Sequence, residues 1–344
     1  MLSSYYYDNL DARAKAVYGV IQSTLSRAAR ECTVACADAE AAQVAWQAVV
    51  MDRPDFINYP GILWGVPQAR NNTVRFEFEY SDVDESEYSY HLQSALDRLN
   101  GKIKSSDDDY AVCKKIYDYL ASTVKYSSDV YDKYCELART NPSLSRIAEF
   151  MLNHSNAFSA YGAIVDKRCV CQGIAKAFKV LCERFGIECT CVLGETNDGR
   201  KVPHMFNVVE LDGIRTFVDV VSGLPADKLP MIRYDYFGAT SRMVQKRFTV
   251  KGEFGCNDEG ASYYTRSGLR FSDAYALTRY LVAFTAHATD GAVRGFYDGK
   301  GISDCELRTL FSDIINDHCD SAHEMSAVSV MDGMCNGLIT NIER

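Results

Sequence analysis

The sequence lacks the features that mark membrane proteins and nucleic-acid-binding proteins. It has no run of about 18 apolar residues, the length that a membrane-spanning helix needs. It has no run of five or more charges of one sign, and 46 acidic residues outnumber 37 basic ones, which gives a net charge of −9. Because binding to nucleic acid depends on basic side chains that neutralise phosphates, we expect neither a nucleic-acid partner nor a membrane span.

The first residues do not resemble an export signal. Met1 to Tyr5 offer no basic segment followed by an apolar one. We therefore expect a cytoplasmic protein for the chain as given, and a secreted protein whose leader has been removed is the alternative. With 344 residues and 47% hydrophobic content, the chain can bury a sizeable core in one elaborated domain or in two to three packed subdomains.

The thirteen cysteines do not predict a disulfide framework. Their number is odd, and a chain of this length does not need disulfides for stability, so we expect mostly free thiols in a reducing compartment. The pairs Cys169/Cys171 and Cys189/Cys191 could also be read as four zinc ligands, but structural zinc sites favour wider spacings. Cys189 and Cys191 fall in a predicted strand, where both face one side as small core residues. We expect no metal and no cofactor.

The pattern of apolar residues predicts three regions. Residues 1–105 are predicted to be mainly helical, with a short β element in which Val74, Phe76, Phe78 and Tyr80 alternate with polar residues. Residues 106–240 form a core that carries the chemistry. Residues 241–344 are predicted to be helical, with one helix from about Ser272 to Ala288 and a second that begins at a capping box of Ser303 and Glu306.

Cys171 stands at the start of a predicted helix. Apolar residues recur at helical spacing from Gln172 to Phe185, and Gly186 is suited to end the helix as its C-terminal cap. Unpaired amides and the helix dipole at an N-terminus favour a thiolate over a thiol. The position therefore predicts a reactive cysteine.

A hairpin places a histidine and an aspartate on one face. Two strand-like runs are joined by Asp212-Gly213, a strong signal for a two-residue hairpin turn. If Leu211 faces Ile214, the same register puts Asp219 diagonal to His204, within side-chain reach. A slip of one residue would place the two on opposite faces. Thiol, imidazole and carboxylate in this order are the parts of a Cys-His-Asp acyl-transfer site.

The residues around these three positions resemble the bacterial transglutaminase-like superfamily. The ordered match runs from Cys171 to Val220. Weaker similarity extends to Tyr117–Tyr126, Ser159–Ala163 and Tyr234–Phe237. The match itself consists of Cys171-Gln172-Gly173, Ala175-Lys176-Ala177-Phe178, Leu181-Cys182, Gly186-Ile187-Glu188, His204-x-Phe206-Asn207-Val208-Val209, Leu211-Asp212-Gly213 and Val218-Asp219-Val220.

The resemblance implies an α+β, papain-like core in which the nucleophile helix packs on an antiparallel sheet. It implies Cys171 as nucleophile, His204 as general base and acid, and Asp219 as the group that orients the imidazole. The chain departs from the family at Phe206, where a Trp is common, and at Val221-Ser222-Gly223, where an aromatic-acidic ending is common. Both departures affect the walls of the cleft and hence the substrate class.

The predicted activity is acyl transfer on a protein, peptide or peptidoglycan-type amide through a thioester at Cys171. Hydrolysis is preferred over cross-linking, because the sequence shows neither an amine-acceptor site nor a calcium-binding loop. Tyr161, Gln172 and Phe206 are candidates for substrate or oxyanion contacts, although Tyr161 also fits the core edge and Gln172 a helix first turn. A catalytically silent module that binds a peptide or glycan in the same groove is the alternative. The sequence leaves the oligomeric state open.

Overall fold

The structure is a computed structural model that describes residues 2–36, 38–61, 63, 69–140, 143–285, 291–318 and 323–341. No helix among these residues is long and apolar enough to cross a membrane. The N-terminal region combines helices with a three-stranded sheet of order β1-β3-β2. Its elements are α1 (Tyr5–Asp8), α2 (Ala12–Ser26), β1 (Glu31–Ala35), α3 (Ala39–Asp52), β2 (Ala69–Arg70), β3 (Thr73–Glu77) and α4 (Glu85–Asn100).

Local sequence signals explain the N-terminal elements. Asp11 caps α2 by accepting a hydrogen bond from the backbone N–H of Ala14. In β3, Val74 and Phe76 are buried while the residues beside them are more exposed, which is the alternation expected of a strand with one solvated face. The predicted short β element is thus present from Thr73 to Glu77, and Phe78 and Tyr80 lie beyond its end.

The central region is built from helices on one antiparallel sheet. The sheet has five strands in the order β10-β6-β7-β8-β9. Two further short strands, β4 and β5, pair in parallel. The elements are α5 (Asp109–Thr123), β4 (Lys125–Tyr126), α6 (Ser128–Arg139), α7 (Leu144–Asn153), β5 (Arg168–Cys169), α8 (Cys171–Arg184), β6 (Cys189–Thr196), β7 (Pro203–Leu211), β8 (Ile214–Val218), α9 (Val220–Gly223), β9 (Phe237–Ala239), α10 (Ser241–Gln245) and β10 (Phe248–Val250).

Helix α8 packs on the centre of this sheet. One face of α8 and the facing side of β7 bury Phe178, Leu181 and Val209 in a common core. The buried Asn207 of β7 donates to the Ala175 carbonyl at 3.0 Å and so ties the strand to the helix. The α+β class and the predicted helix-on-sheet arrangement of the core are therefore confirmed.

The C-terminal region contains a sheet that the sequence analysis did not predict. Strands β11, β12, β14 and β13 pair in that order, so the expectation of a helical region is incomplete. The predicted helices are present, and Ser303 and Glu306 form the capping box; residues 286–288 of the first predicted helix lie outside the described residues. The elements are α11 (Tyr263–Arg266), β11 (Arg270–Phe271), α12 (Ala274–Thr285), β12 (Gly291–Tyr297), α13 (Asp304–His318), β13 (His323–Met331) and β14 (Met334–Asn341).

The C-terminal sheet packs directly against the central region. Phe296 and Met334 share a hydrophobic cluster with Phe206 and Val244 of the central region. Asn336 donates to the buried carboxylate of Asp235 at 2.7 Å. One hydrophobic cluster therefore extends across residue 240. The predicted boundaries at residues 105 and 240 stay a proposal.

Candidate active site

Backbone contacts fix the position of Cys171 at the first residue of α8. The preceding residue, Val170, donates its N–H to the Ala157 carbonyl at 3.1 Å. Gly173 lets the helix approach the same segment, since a Cβ there would lie 2.7 Å from the Ala157 carbonyl oxygen and 2.8 Å from that of Ser159. Helix α8 therefore begins against a backbone surface that admits no side chain at position 173.

The hairpin has the register that the turn residues predict. Leu211 pairs with Ile214, and the ladder continues to Asn207 opposite Val218. Asp212 and Gly213 both adopt positive φ, 52° and 81°, as a type I′ turn requires. The structure thereby brings His204 and Asp219 together, with His204 Nε2 2.9 Å from Asp219 Oδ2.

Asp219 is buried, at 3% exposure, and well supplied with hydrogen bonds. Its carboxylate accepts the Ser222 hydroxyl at 2.6 Å and the Val221 N–H at 3.0 Å, in addition to His204. Burial alone would raise the pKa of Asp219, but the neighbouring imidazole and these hydrogen bonds outweigh it and lower that pKa below its ordinary value. Asp219 is therefore held as a carboxylate that faces the imidazole.

His204 is held as an imidazolium. Burial alone would lower its pKa, but the charge and hydrogen bond of Asp219, together with the adjacent Cys171, raise the pKa of His204 to about 10. Its ring stacks on Phe248 with the centroids 4.9 Å apart, which limits its orientation. Nε2 is hydrogen-bonded to Asp219, so Nδ1 is the ring nitrogen that the carboxylate does not engage.

Aromatic and sulfur-bearing side chains enclose Cys171, which is 5% exposed. Met51 of the N-terminal region and Met205 pack around it. The Tyr126 phenol lies against both the thiol and the backbone amide of Cys171. Tyr131 packs beside it and donates its hydroxyl to the Pro203 carbonyl, next to His204. The sulfur is thus covered by two tyrosines.

The three residues predicted as candidates for substrate or oxyanion contacts each have a structural partner in the fold. Tyr161 stacks on Tyr88 and donates its hydroxyl to Glu87, which matches the core-edge alternative and not an oxyanion contact. Gln172 donates to the Pro60 carbonyl at 3.2 Å and joins α8 to the N-terminal region. Phe206 is buried, with its ring centroid 5.7 Å from that of His204, so it supports the imidazole from within the core.

Sequence reasoning missed four residues that shape the site. Ser222 follows Asp219 by three residues, and an aspartate that caps a short helix is a local signal that could have found it. Tyr126 and Tyr131 come near Cys171 only because β4 pairs with β5, and Phe248 reaches His204 because β10 pairs with β6. These pairings join distant segments and have no local signal.

Together these elements form an α+β core: a helix that begins with Cys171 packs on an antiparallel sheet whose strands bring His204 and Asp219 together. No protein-family model and no curated protein matches the chain. Among solved structures, a TGase is similar at 11% identity over 47% of this chain, with a TM-score of 0.33. The match spans 44% of that TGase, less than half its length.

Two other solved structures are similar to parts of the chain. A candidate cysteine protease from Cytophaga hutchinsonii is 15% identical over 57% of this chain and 79% of its own, with a TM-score of 0.27. A candidate protease from Parabacteroides distasonis is 7% identical over 46% of this chain and 36% of its own, with a TM-score of 0.25. At these TM-scores, the function of this chain is inferred from the geometry around Cys171.

Proposed function

We propose that this protein catalyses cysteine-dependent acyl transfer on protein, peptide or cell-wall amides, and that hydrolysis is its main reaction. The observation that carries the proposal is the buried pair of His204 and Asp219, 2.9 Å apart, together with Cys171 at the N-terminus of α8, which interacts with the same imidazole. An imidazolium held by a carboxylate stabilises a neighbouring thiolate. Such a pair has little use in a core that only binds.

Each group has one task in the proposed reaction. The Cys171 thiolate attacks the amide carbonyl and forms a C–S bond, and the backbone N–H of Cys171 stabilises the oxyanion. The C–N bond then breaks as His204 gives its proton to the leaving amine. Neutral His204 next takes a proton from water, which attacks the thioester and releases the acid and the thiolate. Asp219 keeps the imidazole oriented throughout.

The alternative function, a silent binding module, has one observation in its favour. Cys171 is covered by Tyr126 and Tyr131, and the Tyr126 phenol lies at the amide that an oxyanion would need. A catalytic site must release this tyrosine when substrate enters, whereas a silent module would keep it in place. The two functions therefore differ in whether Cys171 is chemically accessible.

Thiol alkylation tests the proposal with an internal standard. Iodoacetamide is added at pH 6, and the rate at each cysteine is followed by peptide mapping. Cys305 is exposed and serves as the ordinary thiol. We expect Cys171 to react at least about tenfold faster than Cys305, because only a thiolate reacts appreciably at this pH. His204→Gln should remove the difference, and Cys171→Ala should remove the fast site.

The outcome separates the two functions. If Cys171 reacts more slowly than Cys305 in the wild-type protein, the enzymatic proposal is wrong and the silent module is favoured. If Cys171 is fast, incubation with peptide amides in the presence and absence of a primary amine distinguishes the acceptors. Hydrolysis yields the free acid whether or not amine is present, and cross-linking yields the amine conjugate.

A further inference from the structure

The cleft beside the triad carries positive charge on a negatively charged protein. A cavity of about 380 Å³ opens at His204, between α6, the end of β6, the segment before β9 and the start of β10. We call it the basic cleft. Its lining includes one carboxylate, Asp132, and four arginines, Arg139, Arg200, Arg233 and Arg247. The whole chain has a net charge of −9, so this concentration of guanidinium groups is local.

Three of these arginines have no carboxylate partner within the described part of the chain. Arg200 is paired with Asp198. Arg139 donates only to the Cys135 carbonyl, at 3.1 Å, and Arg233 donates to the Leu224 carbonyl at 3.1 Å while its buried Nε lacks a hydrogen-bond partner. The guanidinium of Arg247 donates to the Met331 sulfur, at 3.5 Å, and to no described carboxylate. The cleft therefore offers hydrogen-bond donors that the described residues leave unused.

Arg247 is also close to the reacting groups. Its guanidinium lies over the Phe248 ring, 5.3 Å from the centroid, and the same ring stacks on His204. One aromatic ring thus separates this charge from the catalytic imidazole. Tyr126 and Tyr131 line the same cleft and provide apolar surface for the body of a substrate.

We propose that the basic cleft selects acyl donors that carry a carboxylate next to the amide under attack, and that Arg139 and Arg247 recognise this carboxylate. Guanidinium groups bind carboxylates through two parallel N–H···O bonds, and a site with several unpaired donors discriminates against neutral analogues. The substrate class is therefore an acidic peptide. This inference rests on the proposed acyl transfer at Cys171 but concerns only what the cleft admits.

Two alkylating reagents that differ in charge test the proposal at Cys171. Iodoacetate is an anion and iodoacetamide is neutral, and the ratio of their rates at Cys171 cancels changes in thiol ionisation. We expect Arg139→Gln and Arg247→Gln each to lower this ratio about threefold at low salt, because each removes one partly screened charge. The effect should shrink when the assay contains about 0.5 M NaCl, because the screening length then falls to roughly 4 Å. Arg13→Gln removes an equally exposed arginine that does not line the cleft and should leave the ratio unchanged.

Peptide binding tests recognition without catalysis. A labelled peptide with glutamate beside the target amide is compared with its glutamine counterpart, using Cys171→Ala. We expect the glutamate peptide to bind about tenfold more tightly, and the preference to vanish in the double variant of Arg139 and Arg247. Equal binding of both peptides, or an unchanged reagent ratio in that double variant while Cys171 still reacts fast, overturns this proposal and leaves the acyl-transfer proposal standing. If Cys171 reacts slowly but the preference for the glutamate peptide is retained, the acyl-transfer proposal is wrong and the recognition of the carboxylate stands.

Discussion

Replacement of Asp219 by asparagine is expected to remove the proposed pairing of a Cys171 thiolate with a His204 imidazolium near neutral pH. The asparagine keeps the size of the side chain and can still hydrogen-bond Nε2 of His204, so the loss is mainly one of charge. Without the carboxylate at 2.9 Å, the buried imidazole favours its neutral form. In the proposed mechanism, Cys171 then lacks the positive charge that supports its reactive form, and its alkylation should slow.

The size of the effect follows from the geometry. An opposite charge in hydrogen-bond contact raises the pKa of a histidine by about 1 to 3 pH units. The population of thiolate paired with imidazolium should fall by the same factor, about tenfold to a thousandfold. The loss should be largest near pH 7, where the proposed mechanism requires the pair. Above the raised pKa of His204 both proteins contain a neutral imidazole, so their rates should converge.

The assay is the iodoacetamide rate at Cys171, measured from pH 5 to pH 10.5 and resolved by peptide mapping. Asp235→Asn is the matched control, because Asp235 is an equally buried carboxylate that hydrogen-bonds Tyr264 and Asn336 away from the triad. Ser222→Ala retains the charge of Asp219 and should cost about two- to tenfold, which corresponds to the net free energy of about 0.5 to 1.5 kcal/mol of one hydrogen bond. A wild-type rate at pH 7 in folded Asp219→Asn would refute the role given to the carboxylate.

Two further predictions concern stability. Gly173→Ala should destabilise the protein by about 1 to 3 kcal/mol, the usual cost of overpacking, and slow alkylation of Cys171, because the new Cβ meets carbonyl oxygens at 2.7 and 2.8 Å. Gly19→Ala, in α2 with nothing within 4 Å, should instead stabilise it by up to about 1 kcal/mol; equal effects on urea unfolding would contradict this. The second prediction concerns pH. The raised pKa of His204 contributes to the free energy of unfolding, and this contribution is fully present below pH 6.5 and is lost as the pH rises towards about 10. Urea unfolding at pH 6.5 and 9.5 should show this loss, and it should be smaller in His204→Gln.

The hairpin of the candidate site could be predicted from the sequence because its information is local. The Asp212-Gly213 turn sets the register of the two strands, and a period of two residues then puts His204 and Asp219 on one face. The extent of α8 is likewise predicted locally, by the helical spacing of its apolar residues and by Gly186 after its end. These features depend on residues that are near one another in the chain.

The rest of the site depends on long-range pairing. Tyr126 reaches Cys171 through the parallel pairing of β4 with β5, which are separated by more than forty residues, from Tyr126 to Arg168. The C-terminal sheet is a different case, since Asp332-Gly333 is the same kind of turn as the one in the central hairpin. Its strands were missed because β13 and β14 mix small, polar and apolar residues, so their alternation is weak.

The fold restricts access to the Cys171 sulfur. The basic cleft reaches the imidazole, while Tyr126 and Tyr131 stand between it and Cys171. A substrate that enters along the arginines meets His204 first and must displace the Tyr126 phenol before its carbonyl can take the amide of Cys171. Because the binding energy of a remote carboxylate can drive such a displacement, recognition at Arg139 and Arg247 and exposure of the nucleophile are expected to be coupled. The resting protein should still expose Cys171 often enough for the fast alkylation expected above, and an acidic peptide below saturation should raise that rate further, whereas its neutral counterpart should not.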